Sequence, residues 1–437
     1  MIAFLSRALS ILGTLVTIPL VLNYLGPERY GLWITLTTIF IFLKLADGGV
    51  TIGLIALVSR ADGTGDLVRI RALCSSAFAV TIGVAAILSG LALLVRFVDW
   101  LWLLKLADPA LQAEATAATV VIFISMALAY PAGVVRQART GLQQGAAANA
   151  WDLAGSVLTF TAQLAAIYLK LGLVVLVAVT AFAPVLMNAV SSVVYFAGSG
   201  RHLRPQARLA SWPIVRALFV AGSMFMALTL VQALSMQIDT VLIARLLGVD
   251  KVADYSVVQK LMAQPHLLIT LFLIPQFAAY GEALTRGDHD WIVRHLRRTV
   301  LVGTVLSVLL CGSLAVLAAP LLKLWIGTVI NPPPLLVGSL AVYGVAAAVG
   351  SIFTYFYFAL GLYRQVILAY AVMIAINIPL ALVLIPRIGP AGAAIATATG
   401  LVVALIVPSL VLLRSVLRAL PRLQQRAAEG LAPAGGA

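Results

Sequence analysis

The sequence predicts an all-α, polytopic membrane protein of about twelve transmembrane helices, arranged as two six-helix lobes related by a parallel repeat. Three observations predict it: a composition too apolar for water, apolar spans of membrane-crossing length, and an internal match between the two halves. Of 437 residues, 62% are hydrophobic and 10% charged, with a mean hydropathy of +1.08; soluble domains carry about 25% charged residues. A net charge of +14 in a soluble chain would point to nucleic acid. In a chain this apolar the cations belong to the membrane boundary, and no nucleic-acid partner is expected.

Taken in order, the apolar spans cover about 2–25, 31–58, 72–95, 112–135, 148–169 and 173–197, then 214–244, 252–281, 300–324, 335–360, 364–385 and 390–413. Each holds the roughly 20 helical residues that cross a hydrocarbon core. Alternating ten-residue strands, the sign of a membrane barrel, are absent from the sequence. The first span carries Arg7 but no small-residue cleavage site, so it reads as a retained helix. The expected organisation is an N-terminal lobe over 1–197, a cytoplasmic linker over 198–213, a C-terminal lobe over 214–413 and a basic tail over 414–437.

The 29 Lys and Arg sort by side. Eighteen, among them Arg60, Arg69, Arg71, Arg136, Arg201, Arg204 and the run Arg294, Arg297 and Arg298, follow even-numbered spans or lie in the tail. Eight lie on the other side, and Arg7, Lys44 and Lys260 fall within spans. The positive-inside rule then makes the richer side cytoplasmic, with both termini inside. Trp33, Trp100, Trp102, Trp151, Trp212 and Trp325 fall at span ends, where interfacial anchors belong. Cys74 and Cys311 sit in separate apolar spans and read as buried thiols, outside any disulfide or metal framework.

The repeat rests on four ordered anchors. "YLGPERYGLW" from Tyr24 matches "LLGVDKVADY" from Leu246, setting Gly26 against Gly248 at a shift of 222; the same shift sets Gly65 and Asp66 against Gly287 and Asp288. "TGLQQ" at Thr140 matches "LGLYR" at Leu360, and "LKLG" at Leu169 matches "PRIG" at Pro386. An even number of spans per repeat keeps both lobes in one orientation, so the expected pseudo-two-fold axis runs along the membrane normal with a cleft between the lobes.

These motifs, with "DGG" at Asp47, "IPQFAA" at Ile274 and "LIPRIGPAGAAIATATG" at Leu384, resemble the polysaccharide-exporter (O-antigen flippase) branch of the multidrug/oligosaccharidyl-lipid/polysaccharide exporter superfamily. Ala253 stands where that branch often has glycine. The resemblance covers nearly the whole chain. It implies a flippase that moves an undecaprenyl-pyrophosphate-linked oligosaccharide to the outer leaflet of a prokaryotic cytoplasmic membrane by alternating access, coupled to an ion. Its partners would be that substrate, membrane lipid, and a glycan polymerase with its glycosyltransferases.

The candidate site starts from charge inside apolar spans. In "FLKLADGGVTIGL", Lys44 and Asp47 stand three positions apart, which puts them on one helical face where they can pair. A charge at a membrane centre costs on the order of 2.5–3.5 kcal/mol, so it persists mainly in a bundle interior or wet cavity. The repeat sets Lys44 against His266, giving both lobes a cation suited to a pyrophosphate headgroup. Lys260 and Arg7 are further substrate-binding candidates. Asp47 and Asp239 are the candidates for ion coupling, since a buried carboxylate can exchange a proton near neutral pH; Asp239 could also be a structural acceptor for Lys260 or Arg245. Asp152 reads as a helix-start or interfacial residue.

No catalytic or cofactor-binding constellation is present, no phosphate-binding "GxxxxGK[ST]" motif occurs, and the chain is not expected to be an enzyme. His202, His289 and His295 fall in loops without metal-ligand spacing, and no metal is expected. "GDHDW" at Gly287 reads as a turn entering a helix, and the tail, with Arg414, Arg418, Arg422 and Arg426 four apart, as an interfacial helix on anionic lipid. Three alternatives remain: a drug or organic-cation antiporter, which predicts net negative charge in the cleft; a lipid II flippase, whose known relative has two more helices; and a non-transporting scaffold for glycan assembly.

Overall fold

The computed structural model describes residues 2–418 except Ala107 and 327–331, together with 420, 421, 424 and 425; side chains of the first helix are described at Gly13 and from Val16 onward. The side chains of Arg7, Arg414, Arg418, Arg422 and Arg426, on which expectations were placed, lie outside those described, as does the stretch 430–437.

With no water to serve backbone groups in a bilayer core, the chain satisfies them within helices. In order these are α1 (Ile2–Leu43), α2 (Val50–Gly63), α3 (Leu67–Leu94), α4 (Ala110–Gly141), α5 (Gly145–Tyr168), α6 (Gly172–Ala197), α7 (Trp212–Leu247), α8 (Val249–Met262), α9 (Gln264–Arg286), α10 (His289–Val316), α11 (Pro334–Ala359), α12 (Tyr363–Ile388), α13 (Ala391–Leu401) and α14 (Val407–Arg418). Short helices at Trp100–Leu104 and Ala318–Ile326 join neighbours, and a π-helical turn, Val402–Ile406, links α13 to α14. Among the described residues, nine helices are long and apolar enough to cross a membrane. The other three expected spans fall on α1, on α1 with α2, and on α5.

The chain divides into two compact units, 1–230 and 231–437, with the division inside α7 and the segment 198–213 in the first unit. Within unit 1, α4 packs on α3 and α6, and α6 on α5. Val50, Leu54 and Val58 of α2 meet Leu73, Val134 and Leu218 in one fully buried cluster. Within unit 2, α11 packs on α9, α10 and α13, and α12 on α13.

The repeat reappears as backbone geometry. Gly26 interrupts α1 at φ 77°, ψ 170°, and Gly248 precedes α8 at φ 102°, ψ 163°. Gly65 and Gly287 both take positive φ, and the next residues, Asp66 and Asp288, each cap a helix by accepting the N–H three residues on. Gly172 and Gly389 match likewise at φ 84° and 70°. One anchor shifts: the positive-φ residue after α4 is Gln143 and its counterpart after α11 is Gly361. The turns superimpose Leu142 on Leu360 by their hydrogen bonds, because Gly141 remains helical.

Some local readings change. Trp33 and Trp100 are buried inside unit 1 and are not interfacial anchors, while Trp102 and Trp212 are exposed. His289 opens α10 and His295 lies within it, stacked 4.4 Å from Trp291, so neither is a loop residue. Cys74 and Cys311 are free and buried.

Candidate functional site

The site begins where the second span breaks. Gly48 (φ 62°) and Gly49 (φ 87°, ψ 8°) adopt left-handed conformations, which end α1 at Leu43 and restart the helix at Val50. Such a break releases backbone groups that the membrane cannot serve. Tyr130 of α4 serves two of them with one hydroxyl: it donates to the Leu43 carbonyl and accepts the Ala46 N–H at 2.9 Å. Asp47 serves the other end. Its carboxylate, 4% exposed, accepts the N–H of Gly49 at 3.1 Å, the N–H of Thr51 at 2.8 Å and the Thr51 hydroxyl at 2.6 Å.

The expected Lys44–Asp47 ion pair is therefore not made. The i, i+3 argument assumes a continuous helix, and the two glycines turn the backbone between the pair and its next helical turn. Lys44 is exposed, and its ammonium lies 5.0 Å from the centre of the Phe40 ring. Among the described residues it makes no ion pair within unit 1.

A second cation joins it. After desolvation by its surroundings, the guanidinium of Arg136 is the influence that reaches Lys44. Arg136 lies inside α4, five residues before its end, and not in a loop as its position after an apolar window implied. Asp152 on α5 holds it in a two-pronged pair, Nε to Oδ1 at 2.8 Å and Nη2 to Oδ2 at 2.6 Å, so Asp152 is an ion-pair partner and not a helix start. That geometry uses one edge of the guanidinium and leaves the Nη1 donors, like the three of Lys44, available to an anion. Sequence reasoning missed Arg136. The signal was present in the turn "TGLQQG", which puts the helix end at Gly141.

Glycines hold the break against α7. A Cβ built on Gly53 would lie 2.1 Å from the Leu218 carbonyl oxygen, and one on Gly222 would lie 2.0 Å from that of Gly49. The α2 and α7 backbones touch directly, the close approach that small residues permit in membrane helices.

Unit 2 holds the other expected residues. Asp239 of α7, 3% exposed, accepts from the Thr397 hydroxyl at 2.6 Å, the Tyr255 hydroxyl at 3.2 Å and Asn377 Nδ2 at 3.4 Å. These donors come from α13, α8 and α12, and they take the place of the Lys260 or Arg245 partner considered from sequence. Asn377 Oδ1 is buried and, among the described residues, has no hydrogen-bond partner. Lys260 lies in the last turn of α8, half-buried, and its carbonyl accepts from Gln264 at 2.8 Å. His266 follows Pro265 in the first turn of α9, and its Nε2 lies 2.8 Å from the Ser351 hydroxyl. The structure thus gathers Lys44, Asp47 and Arg136 in unit 1, and Asp239 with a polar cage in unit 2. Among the described residues no group of three His, Cys, Asp or Glu could hold a metal ion.

Residues 2–280 match the family described as polysaccharide biosynthesis protein. No curated protein matches the chain. Solved structures do. An inward-facing multidrug resistance transporter of the MATE family, MOP superfamily, superposes with a TM-score of 0.75 at 15% identity, over 96% of this chain and 99% of that one. The lipid II flippase MurJ, inward closed, gives 0.72 at 14% identity, over 98% and 90%. A MOP superfamily transporter from Pyrococcus furiosus, described as having a binding pocket of reversed polarity, gives 0.61 at 13%, over 96% and 94%. The chain has the fold of these multi-pass membrane proteins.

Proposed function

Because the chain belongs to the polysaccharide biosynthesis protein family, we propose that it is a flippase, carrying an undecaprenyl-pyrophosphate-linked oligosaccharide across a prokaryotic cytoplasmic membrane by alternating access. Both termini face the cytoplasm in this reading, which the arginine asymmetry supports. Glycosyltransferases supply the substrate and a glycan polymerase consumes it. The observation that carries the reading is the pair of neighbouring cations, Lys44 and Arg136, with donors unserved inside an apolar unit. A pyrophosphate offers oxygens to both, and in a low-dielectric site such charge-assisted hydrogen bonds are the strong ones. An organic cation would need unserved acceptors instead, and Asp47 and Asp239 each already serve three donors.

His266 is the repeat counterpart of Lys44 in unit 2, and Lys260 and Arg7 are further groups for the same headgroup. Ion coupling falls to the two buried carboxylates, Asp47 and Asp239. The test is glycan export in cells that lack the chain. Wild type restores it, Lys44→Arg restores part, and Lys44→Ala restores little at equal membrane abundance. Full export by Lys44→Ala would sink the pyrophosphate reading, and rescue of cells depleted of their lipid II flippase would assign the substrate to lipid II instead.

A further inference from the structure

Unit 1 carries a groove of about 1060 Å³ between α3, α4, α5 and α6 that the cation site does not use. Its walls are apolar. Ser192, one of its few polar residues, turns its hydroxyl to the carbonyls of Ala132 and Asn188 at 3.1 and 2.9 Å. Leu128, Leu186 and Val193 line it and are 51%, 53% and 69% exposed, so it opens to the bilayer.

Two features narrow what fills it. The first is length. On α6 the lining runs from Ala178 to Ala197, which at about 1.5 Å per residue is roughly 28 Å, close to the roughly 30 Å of a whole hydrocarbon core. A phospholipid anchored at one end reaches about half of that, because its acyl chains stop at the midplane. The second is charge at one end only. Arg204 lines the groove beyond Ala197, and its Nε donates to the Phe196 carbonyl at 2.9 Å, which fixes the guanidinium at the mouth. Among the described residues its terminal nitrogens bond nothing else. Arg201 and Arg208 are exposed beside it.

We propose that this groove binds a long isoprenoid chain, its phosphate at Arg204 and its tail running along α6 past the membrane midplane. The site is separate from Lys44, and it rests on the flippase reading only for what the lipid carries beyond its phosphate. Arg204 and Lys44 would then hold the phosphate in turn, Arg204 while the lipid rests in the groove and Lys44 once the headgroup has moved into the unit.

The test uses purified protein in nanodiscs and three photoreactive probes, a diazirine-bearing undecaprenyl phosphate without sugar, a neutral diazirine-bearing polyprenol and a diazirine-bearing phosphatidylglycerol. The polyprenyl probe is expected to label residues 178–197. Ala132→Trp on α4 and Ala189→Trp on α6, both of which fill the groove, should each lower that labelling by about fivefold, the equivalent of roughly 1 kcal/mol. Arg204→Gln, which leaves the groove open, should lower labelling by the phosphate but not by a neutral polyprenol probe. Labelling outside 178–197, or equal labelling there by phosphatidylglycerol, overturns the proposal. The measurement reads neither sugar nor transport. Its failure therefore leaves the Lys44 export result intact, and failure of the Lys44 experiment leaves the labelling intact.

Discussion

Replacing Gly222 by alanine tests the contact that fixes the broken helix. The new Cβ would lie 2.0 Å from the Gly49 carbonyl oxygen and 3.0 Å from the Gly53 nitrogen, where ordinary contact begins at 3.4 Å. Relief along that line requires α2 and α7 to part by about 1.4 Å, and neither partner is a side chain that could rotate away. Overpacking of this kind costs about 1–3 kcal/mol, and the helix-propensity gain of alanine, about 0.5–1 kcal/mol, offsets only part of it. Gly83→Ala is the control. Gly83 lies in α3 with nothing within 4 Å of its Cβ position, so that variant collects the propensity gain alone. Thermal unfolding in one detergent should place Gly222→Ala several degrees below wild type and Gly83→Ala at or slightly above it. If Gly222→Ala melts with Gly83→Ala, the backbone contact is not what holds α2.

Two further substitutions address the polar groups. Tyr130→Phe removes the hydroxyl that serves Leu43 and Ala46; each buried group left without a partner costs about 1–3 kcal/mol, so a clearly lower melting temperature in the same assay is expected, and an unchanged one would mean the break finds other partners. Asp239→Asn keeps the shape of the cage but removes its ionisable group, so transport should lose its dependence on pH while the protein remains inserted; a wild-type pH profile would take Asp239 out of the coupling step.

Hydropathy made the helical class legible because a bilayer imposes one length and one composition on every span. The repeat was legible for a backbone reason: Gly26 and Gly248 share a conformation that side chains resist, so the residue type marks the geometry. What misled was continuity. Spacing arguments joined Lys44 to Asp47 as neighbours on a helix that in fact ends at Leu43, just before the two glycines that follow Asp47, and a hydropathy window stopped at 135 although α4 runs to Gly141, which pushed Arg136 into a loop. The cage around Asp239 was out of reach for a different cause. Its donors lie 16, 138 and 158 positions away, and no local pattern announces such meetings.

The clamp at the break asks very different things of its two sides. Tyr130 reaches only main-chain atoms of residues 43 and 46, so its two hydrogen bonds ask nothing of either side chain, although Leu43 also packs on the cluster of Leu88, Met126, Ala127 and Tyr130. Proline at 46 is the exception, since it has no N–H to give. At 130, by contrast, the group must donate and accept through a single oxygen held at the end of a rigid ring. As hydrogen-bonding groups, one partner is indifferent to its side chain and the other has scarcely an alternative. A tally of tolerated substitutions across this region would therefore find its most constrained residue on α4, some 84 positions from the bend it maintains.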